Sequence, residues 1–412
     1  MHFKNLKINQ WQQFEKIDID LHDRLTILTG SNGSGKTTIL NIFARHNGWN
    51  MQSLSIPKEE KNTGFIKFFQ RYYSGADRSN EAKIGTITYS NNVSEIRVPQ
   101  GQNASYQLQL SNQQAVKCFY IPSHRSIFRY QAVVNIPIQK KDKAAAFNEV
   151  SSLNLQRYMG NGNERSTSLA MKNTLIGWVI NGYGVKNSQK TIMASDDEQI
   201  QFFEGFQGTL RKILPKTLGF EFIEIRKMEI VFVCNGGNDE FLLETASGGI
   251  SALIDIAWQI YMFASKENSE FTVIIDEIEN HLHPTMQRAI LQDLLNAFPE
   301  AKFIVSTHSP LIVSSVKESY VYALTYNESN KIFSRKLDFL NEAKTATQIL
   351  DEVLGVSFTM PIWVEDDLKK IIARHSDLSA EQVDFSALRK DLSDIGLEKM
   401  LPHAIKEIVE RF

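Results

Sequence analysis

A glycine-rich segment near the N-terminus has the residue types that hold phosphate groups. It fits the pattern G-x-x-x-x-G-K-[ST] and consists of Gly30, Ser31, Asn32, Gly33, Ser34, Gly35, Lys36 and Thr37, with Thr38 following. Glycines let backbone N–H groups converge on phosphate oxygens, and the N-terminus of a following helix favours negative charge. In this pattern the lysine reaches the outer phosphates and the threonine hydroxyl binds Mg²⁺. The alternative is an ordinary glycine-rich turn. A strand is predicted before the segment and a helix after it, and this arrangement disfavours the alternative.

Two adjacent carboxylates end an apolar run at 271–275. We expect Asp276 to emerge beside the glycine-rich loop, where it can hold Mg²⁺ through water. Glu277 is then placed to orient and polarise an attacking water. A solvated acidic turn is the alternative for this pair alone. Together with a phosphate-binding loop, the pair indicates phosphoryl transfer, which needs a metal-holding acid and a water-positioning group.

Two further signals flank these carboxylates at characteristic spacings. Ser247, Gly248 and Gly249 precede a predicted helix, and Ser247 stands 29 residues before Asp276. This loop is either a second anion site or an ordinary serine cap with permissive glycines. His308 ends another predicted strand, 32 residues after Asp276. It is either a donor to the terminal phosphate or a buried imidazole with satisfied hydrogen bonds.

Hydrophobic periodicity predicts the elements that must position these residues. The predicted strands are 3–8, 17–21, 25–28, 83–89, 93–98, 117–121, 220–225, 229–233, 241–243, 271–275, 302–306, 320–326 and 331–337. The predicted helices of the core are 36–45, 249–264 and 285–297. The strand–helix–strand order over 271–306 indicates a right-handed parallel crossover.

The chain is predicted to be an α/β protein with a central, mostly parallel sheet. Residues 1–125 form the first part of the core, and their polar stretch 50–116 predicts an antiparallel β lobe with mobile loops. Residues 126–215 are predicted to be a helical insertion, with breaks at 160–162 and 182–184. Residues 216–340 complete the core, and 341–412 form a helical tail.

Bulk composition excludes some classes of function. The 412 residues carry 45 Lys and Arg against 47 Asp and Glu, so overall charge indicates no general affinity for nucleic acid, although a local basic patch stays open. Cys118 and Cys234 form no Cys-x-x-Cys pair, and we expect buried thiols rather than a metal site or a disulfide. We see no secretory signal and no apolar stretch that could span a bilayer, and we expect a cytoplasmic protein without membrane contact.

In this order, the four signals resemble the ABC ATPase family, and most closely its cytosolic branch of SMC, RecF and OLD proteins. Lys36 and Thr37 fall on the Walker A positions, and Asp276 and Glu277 on Walker B. The segment 247–249 falls on the signature loop, His308 on the switch histidine, and 280–284 on the D-loop.

Departures from the transporter pattern point to the OLD-like branch. Ile278 stands where transporters usually have proline, and His283 where they have aspartate, which resembles the OLD-like pattern D-E-x-E-x-x-L-H-P. Ala246 replaces the usual leucine before the signature serine. The Q-loop is not obvious. Arg125 is the first candidate and Gln131 the second, and the alternative for each is an ordinary surface residue.

The resemblance implies an ATPase that uses ATP and Mg²⁺. It also implies a head-to-head homodimer, or a higher homo-oligomer, in which Ser247 of one subunit covers the ATP held by the other. Ser247, at the start of its own helix, would otherwise have no phosphate to bind. In a two-fold interface, the Ser247 loop of each subunit would contact the ATP of the other.

Two classes of function are consistent with these features. The first is a regulatory ATPase acting on a separate effector, as in the ATPase subunits of antiphage systems such as Septu and PARIS, where the partner is a nuclease. The second is a RecF-type ATPase that clamps DNA. The altered D-loop and the large insertion disfavour a transporter subunit. We expect no nuclease in this chain, because the acidic fragment 363–367 reads as a helix start rather than a strand end.

Overall fold

The structure is a computed structural model of the chain. It describes residues 1–59, 66–69, 81–99, 103–160, 165–186, 190–265, 270–337, 362–376 and 384–409. These residues fall into two compact units, within 1–349 and 350–412. The predicted mobile loops of 50–116 and the predicted break at 160–162 lie largely outside the described residues.

Most predicted elements are present within a residue or two of their predicted bounds. The strands are β1 Phe3–Trp11, β2 Phe14–Asp20, β3 Leu25–Thr29, β4 Ser53–Leu54, β5 Ile56–Glu59, β6 Ile66–Phe69, β7 Glu81–Tyr89, β8 Val93–Pro99, β9 Ser105–Tyr106, β10 Gln109–Ser111, β11 Cys118–Ile121, β12 Val185–Lys186, β13 Thr191–Met193, β14 Phe220–Arg226, β15 Glu229–Cys234, β16 Asp239–Leu242, β17 Phe271–Ile275, β18 Ala301–Thr307, β19 Tyr320–Tyr326 and β20 Ile332–Leu337. The helices are α1 Lys36–Ala44, α2 Lys143–Tyr158, α3 Thr167–Tyr183, α4 Asp197–Ile213, α5 Gly248–Phe263, α6 Pro284–Ala297, α7 Pro310–Val313, α8 Ile362–Ser376, α9 Phe385–Asp394 and α10 Leu401–Val409.

One large sheet dominates the first unit, with strand order β10-β8-β7-β1-β2-β20-β19-β3-β18-β17-β11. Its β19-β3-β18-β17-β11 half is parallel, and β10, β8, β7, β1 and β2 pair antiparallel with one another. The α/β prediction is therefore confirmed, and the predicted antiparallel lobe is continuous with the central sheet. In the parallel half, Thr307 pairs with Thr29 and Val305 with Ile275, so the carboxyl ends of these strands meet at one edge.

Burial explains why these segments form the centre of the sheet. All five residues of β3 and all five of β17 are buried, as parallel strands covered on both faces require. Ile39, Leu40 and Phe43 of α1 are fully buried with the hairpin β1–β2 in one core cluster. Each such side chain contributes about 1.5–3 kcal/mol on burial, so the helix that follows the glycine-rich loop is fixed against the sheet.

The insertion is helical only from Lys143 onward. Residues 126–142 form neither helix nor strand, which corrects the predicted helical character of that stretch. The successive β-branched residues Val133 and Val134, followed by Pro137, disfavour a helix. The helices α2, α3 and α4 begin at the capping side chains of Asp142, Ser166 and Asp196.

The described residues of the second unit form three α-helices with a core of their own. Leu368, Ile371, Ile372, Leu388, Leu392, Ala404 and Ile408 pack together. The helical tail is confirmed for 362–376, 385–394 and 401–409, while residues 341–361 of the predicted tail lie outside the described part of the chain.

Two predictions from composition are tested directly. Cys118 and Cys234 are buried thiols without a disulfide among the described residues. Of the helices that the structure describes, none combines the length and apolar character required to cross a membrane.

Candidate functional site

The glycine-rich loop lies between β3 and α1, and its glycines are required by contact. Gly35 has φ 85°, and a Cβ there would lie 2.4 Å from the ring of Phe14. At Gly30, with φ 144°, a Cβ would lie 2.5 Å from the carbonyl oxygen of Leu324. Larger residues at either position would displace the backbone, so the loop must be built from glycine. Ser31, Asn32 and Gly33 form its exposed tip.

Lys36 is buried inside this loop, with neutral atoms as its nearest partners. Its Nζ donates to the carbonyls of Gly30 at 2.8 Å and Ser31 at 3.0 Å. Burial lowers the pKa of Lys36 to about 8, although Asp276 and other carboxylates oppose this shift. Ser34 Oγ is also buried and has no hydrogen-bond partner among the described residues. A buried cation held by carbonyls and an orphaned hydroxyl fit a phosphate group.

A hydroxyl and a carboxylate from the two separate motifs meet beside Lys36. Thr37 Oγ1 donates to Asp276 Oδ2 at 2.8 Å, and Ser306 Oγ donates to Asp276 Oδ1 at 2.5 Å. Asp276 is 1% exposed, and the Tyr120 hydroxyl lies 3.4 Å from its Oδ2. Hydroxyl and carboxylate oxygens are the ligands that Mg²⁺ prefers, so these residues fit the predicted metal site.

Glu277 lies in a strained turn, and each of its carboxylate oxygens has a hydrogen-bond partner. Its φ is +44°, and its backbone N–H donates to Ser306 Oγ at 2.7 Å. Oε1 contacts His308 Nε2 at 3.0 Å, and Oε2 accepts from Asn280 Nδ2 at 2.9 Å. Burial opposes ionisation of Glu277, but these two hydrogen bonds and the charge of Lys36 outweigh it and lower its pKa. The group is therefore an oriented carboxylate at neutral pH.

His308 links this carboxylate to the glycine-rich loop. Its Nδ1 lies 3.3 Å from the carbonyl of Gly30, while its backbone N–H donates to Glu279 Oε1 at 2.5 Å. The structure thus brings together Lys36, Thr37, Asp276, Glu277 and His308, as the spacing predicted. Sequence reasoning placed Glu279 in the pattern D-E-x-E-x-x-L-H-P and Asn280 in the D-loop, but it predicted for neither residue a contact within this site.

Arg125 is placed differently from the prediction. It is 6% exposed and lies beneath the Asp276–Glu277 turn, where Nη2 donates to the carbonyls of Asp276 at 3.1 Å and Glu277 at 3.3 Å. Its Nη1 donates to the carbonyl of Pro122. The guanidinium positions the turn from behind, which replaces the predicted nucleotide contact. Gln131, the second candidate, accepts a hydrogen bond from the Ser166 backbone at the start of α3.

The predicted signature loop is exposed at the start of α5. Ser247 and Gly248 are exposed, and the Ser247 hydroxyl makes no capping hydrogen bond to its helix in the described structure. The glycines lie under the D-loop, since a Cβ at Gly249 would be 3.0 Å from the His281 carbonyl. The loop therefore presents an unused hydroxyl and a helix N-terminus to solvent.

Thr38 faces a different feature, a small pocket beside α1. With Trp11, Asn41 and Arg45 it lines a cavity of about 190 Å³ on the side of the hairpin β1–β2. The pocket borders the glycine-rich loop through Thr38, which makes it a candidate neighbour of a bound nucleotide.

A Walker A loop after β3, a Walker B pair after β17 and a histidine after β18, at one edge of a mixed sheet, define an ABC-type P-loop ATPase fold. The family described as "AAA domain, putative AbiEii toxin, Type IV TA system" matches residues 25–314. The chain belongs to this family.

Three relatives are similar to the chain over different shares of their length. Septu protein PtuA of Bacillus thuringiensis is 22% identical over 376 residues, which are 88% of this chain and 86% of that protein. Septu protein PtuA of Bacillus mycoides (strain KBAB4) is 31% identical over 138 residues, 32% of this chain and 19% of that protein. A protein of Escherichia coli named "Retron Ec83 probable ATPase" is 29% identical over 157 residues, 37% of this chain and 27% of that protein.

Proposed function

We propose that this chain binds ATP with Mg²⁺ and hydrolyses it to ADP and phosphate. The observation that carries the proposal is the meeting of Thr37 Oγ1 and Asp276 Oδ2 at 2.8 Å beside the buried ammonium of Lys36. Membership of an AAA-domain family and the name of the Escherichia coli relative support it.

The residues divide the work of phosphoryl transfer between them. Lys36 exchanges its carbonyl partners for phosphate oxygens, and the loop N–H groups bind the remaining oxygens. Thr37 and Asp276 would hold Mg²⁺, which neutralises charge on the phosphates when bound. Glu277 accepts a hydrogen bond from the attacking water and orients it in line with the terminal phosphate. His308 then donates to a terminal phosphate oxygen, because its contact with Gly30 already places it at the loop.

The complete site requires two copies of the chain. Ser247 and the N-terminus of α5 are exposed in one copy, and anions favour such a helix end. A head-to-head homodimer, alone or within a larger homo-oligomer, would place each Ser247 loop over the ATP of the other subunit. The two nucleotides would then form part of the interface.

The ATPase regulates a separate effector, which we propose is a nuclease in antiphage defence. Similarity to the two Septu proteins supports this reading over a RecF-type DNA clamp. Balanced overall charge agrees with it, since DNA clamping needs a basic surface.

Glu277→Gln tests the proposal directly. The variant keeps the acceptor geometry but loses charge, so we expect ATP binding within about twofold of the natural protein and hydrolysis slowed about 100-fold or more. A dimer should accumulate with ATP in analytical ultracentrifugation. Unchanged hydrolysis would refute the role of Glu277. Stimulation of hydrolysis by double-stranded DNA, without co-purification of a nuclease, would favour the DNA clamp.

A further inference from the structure

Residues 126–142, here called the strap, form a segment without regular secondary structure that is fixed along α3. Ser168 Oγ donates to the carbonyl of Arg129 at 3.1 Å, Lys172 Nζ to that of Gln131 at 3.2 Å, and Trp178 Nε1 to that of Lys141 at 2.7 Å. Three donors on one helix thus bind backbone carbonyls of a single irregular segment. The strap is a built part of the surface rather than a loose connection.

The strap turns apolar side chains toward solvent. Between residues 131 and 138, positions 131, 133 and 137 are half-buried, whereas 132, 134–136 and 138 are exposed. Val134 is 89% exposed, Ile136 56% and Ile138 69%. These three residues are named the outward row. Contiguous exposed aliphatic groups of this kind mark an interaction surface.

A basic pocket adjoins the other end of the strap. It has a volume of about 740 Å³ and is lined by Ile127 and Arg129 of the strap together with His124, Arg157 and Arg165. Arg129 is exposed, and Arg157 donates to the neutral carbonyl oxygen of His124 and the amide oxygen of Asn154. Arg165 pairs with Glu149. These residues are named the arginine pocket.

We propose that the strap is the docking surface for the effector protein, which contributes a segment with acidic side chains for the arginine pocket and apolar side chains for the outward row. The proposal rests on the proposed function, since it names where that partner binds. The anchors from Arg129 to Lys141 lie against Ser168 to Trp178, about 15 Å along α3, so about five extended residues of the partner would cover the strap. Guanidinium groups bind carboxylates in pairs of hydrogen bonds, and the aliphatic row supplies the apolar contact.

Two other occupants fit less well. A second copy of the chain in a strap-to-strap two-fold contact would offer the arginines no carboxylate partner, because the one acidic residue of the strap, Asp142, caps α2. Nucleic acid would use the arginines but leave the aliphatic row uncovered, because bases stack on aromatic rather than aliphatic side chains.

The test measures binding of the purified protein encoded by the neighbouring gene to the full-length chain. Ile136→Asp and Arg129→Glu should each weaken this binding at least about tenfold in biolayer interferometry. Ile192→Asp is the matched control, since Ile192 is 62% exposed on the hairpin β12–β13, and it should change affinity less than about twofold. Arg129→Lys should retain most of the affinity, because it keeps the charge.

The outcomes separate this proposal from the proposed function. ATP hydrolysis and nucleotide-dependent dimer formation are measured on the same preparations and should be unchanged in all four variants. Unaltered affinity for the neighbour-encoded protein in Ile136→Asp and Arg129→Glu, or no binding to the natural chain, overturns the docking surface while leaving the ATPase untouched. The docking surface is also refuted if the strap variants lose binding to duplex DNA, or lose self-association, while their affinity for the effector is unchanged. An inactive ATPase whose effector binding still follows the variants would refute the proposed function alone.

Discussion

Lys36 and Lys172 are both buried, but their surroundings differ. Lys36, in the glycine-rich loop, contacts two backbone carbonyls, and burial lowers its pKa to about 8. Lys172, on α3, is fully buried and contacts the carboxylates of Glu229 and Glu244, each at 2.6 Å. Burial opposes the charge there as well, but hydrogen bonds to the two carboxylates raise the pKa of Lys172.

The difference separates a binding site from a structural ion pair. Burying a cation without a carboxylate partner costs folding free energy. Such a residue is retained where a ligand supplies the missing partner. Lys172 needs no ligand, because Glu229 and Glu244 already pair with its ammonium group. Its cluster also joins α3 to β15 and to the residues just before the signature loop, since Glu244 stands three positions before Ser247. One lysine is thus poised for phosphate, and the other fixes the insertion to the core.

The largest expected effect comes from removing Lys36, the buried cation without a carboxylate partner. Lys36→Ala should weaken ATP binding by about 1000-fold or more, because the phosphate charge loses its buried partner. Isothermal titration with ATP and Mg²⁺ measures this. The unliganded variant should unfold at nearly the same denaturant concentration as the natural protein. ATP affinity within tenfold of the natural value would contradict the role assigned to Lys36.

Removing Lys172, whose ammonium group is paired with two carboxylates, should instead lower the stability of the fold. Lys172→Met leaves Glu229 and Glu244 unpaired, with Glu244 almost fully buried, and should lower the free energy of unfolding by about 3–5 kcal/mol. Urea unfolding followed by fluorescence measures the loss. Lys4→Met, which removes an exposed pair with Asp23, is the control and should cost about 0–1 kcal/mol. Equal losses in the two variants would show that the Lys172 cluster is not structural.

Sequence reasoning predicted which residues lie together at the candidate site, because the signal for each of them is local. The loop 30–37, the pair Asp276–Glu277 and His308 are each defined by neighbours in the chain, and parallel strands bring their ends together at one sheet edge. The strap lies within the insertion that was predicted to be mostly helical, and its irregular form was missed because it depends on donors from α3 that lie about 40 residues away in sequence. Arg125 was assigned to nucleotide for a similar reason. Its partners are carbonyls of residues about 150 positions later, and side-chain type gives no sign of them.

The role of Arg125 can be tested by a conservative change. Arg125→Lys keeps the charge but loses the planar fork that holds the carbonyls of Asp276 and Glu277. We expect kcat for ATP hydrolysis to fall about tenfold with ATP affinity unchanged, since loss of one good hydrogen bond costs about 1.4 kcal/mol. Gln131→Ala, the alternative candidate, should leave kcat within about twofold. A rise in the ATP dissociation constant with unchanged kcat would instead indicate direct contact with nucleotide.

The smallest expected effect is the pH dependence of stability without nucleotide. The pKa of Lys36 is about 8 in the folded chain, whereas that of an unperturbed lysine is 10.5, so the unfolded chain binds more protons between these pH values. Stability therefore rises with pH through this window, and the gain from pH 7 to pH 9 should be on the order of 1 kcal/mol. Urea unfolding of the natural protein and of Lys36→Met isolates this contribution, because other lysines are common to both. Parallel pH profiles would mean that Lys36 is solvated like an exposed lysine, and the contrast with Lys172 would then fail. Saturating ATP should reverse the sign, since a phosphate partner favours the charged ammonium and raises its pKa.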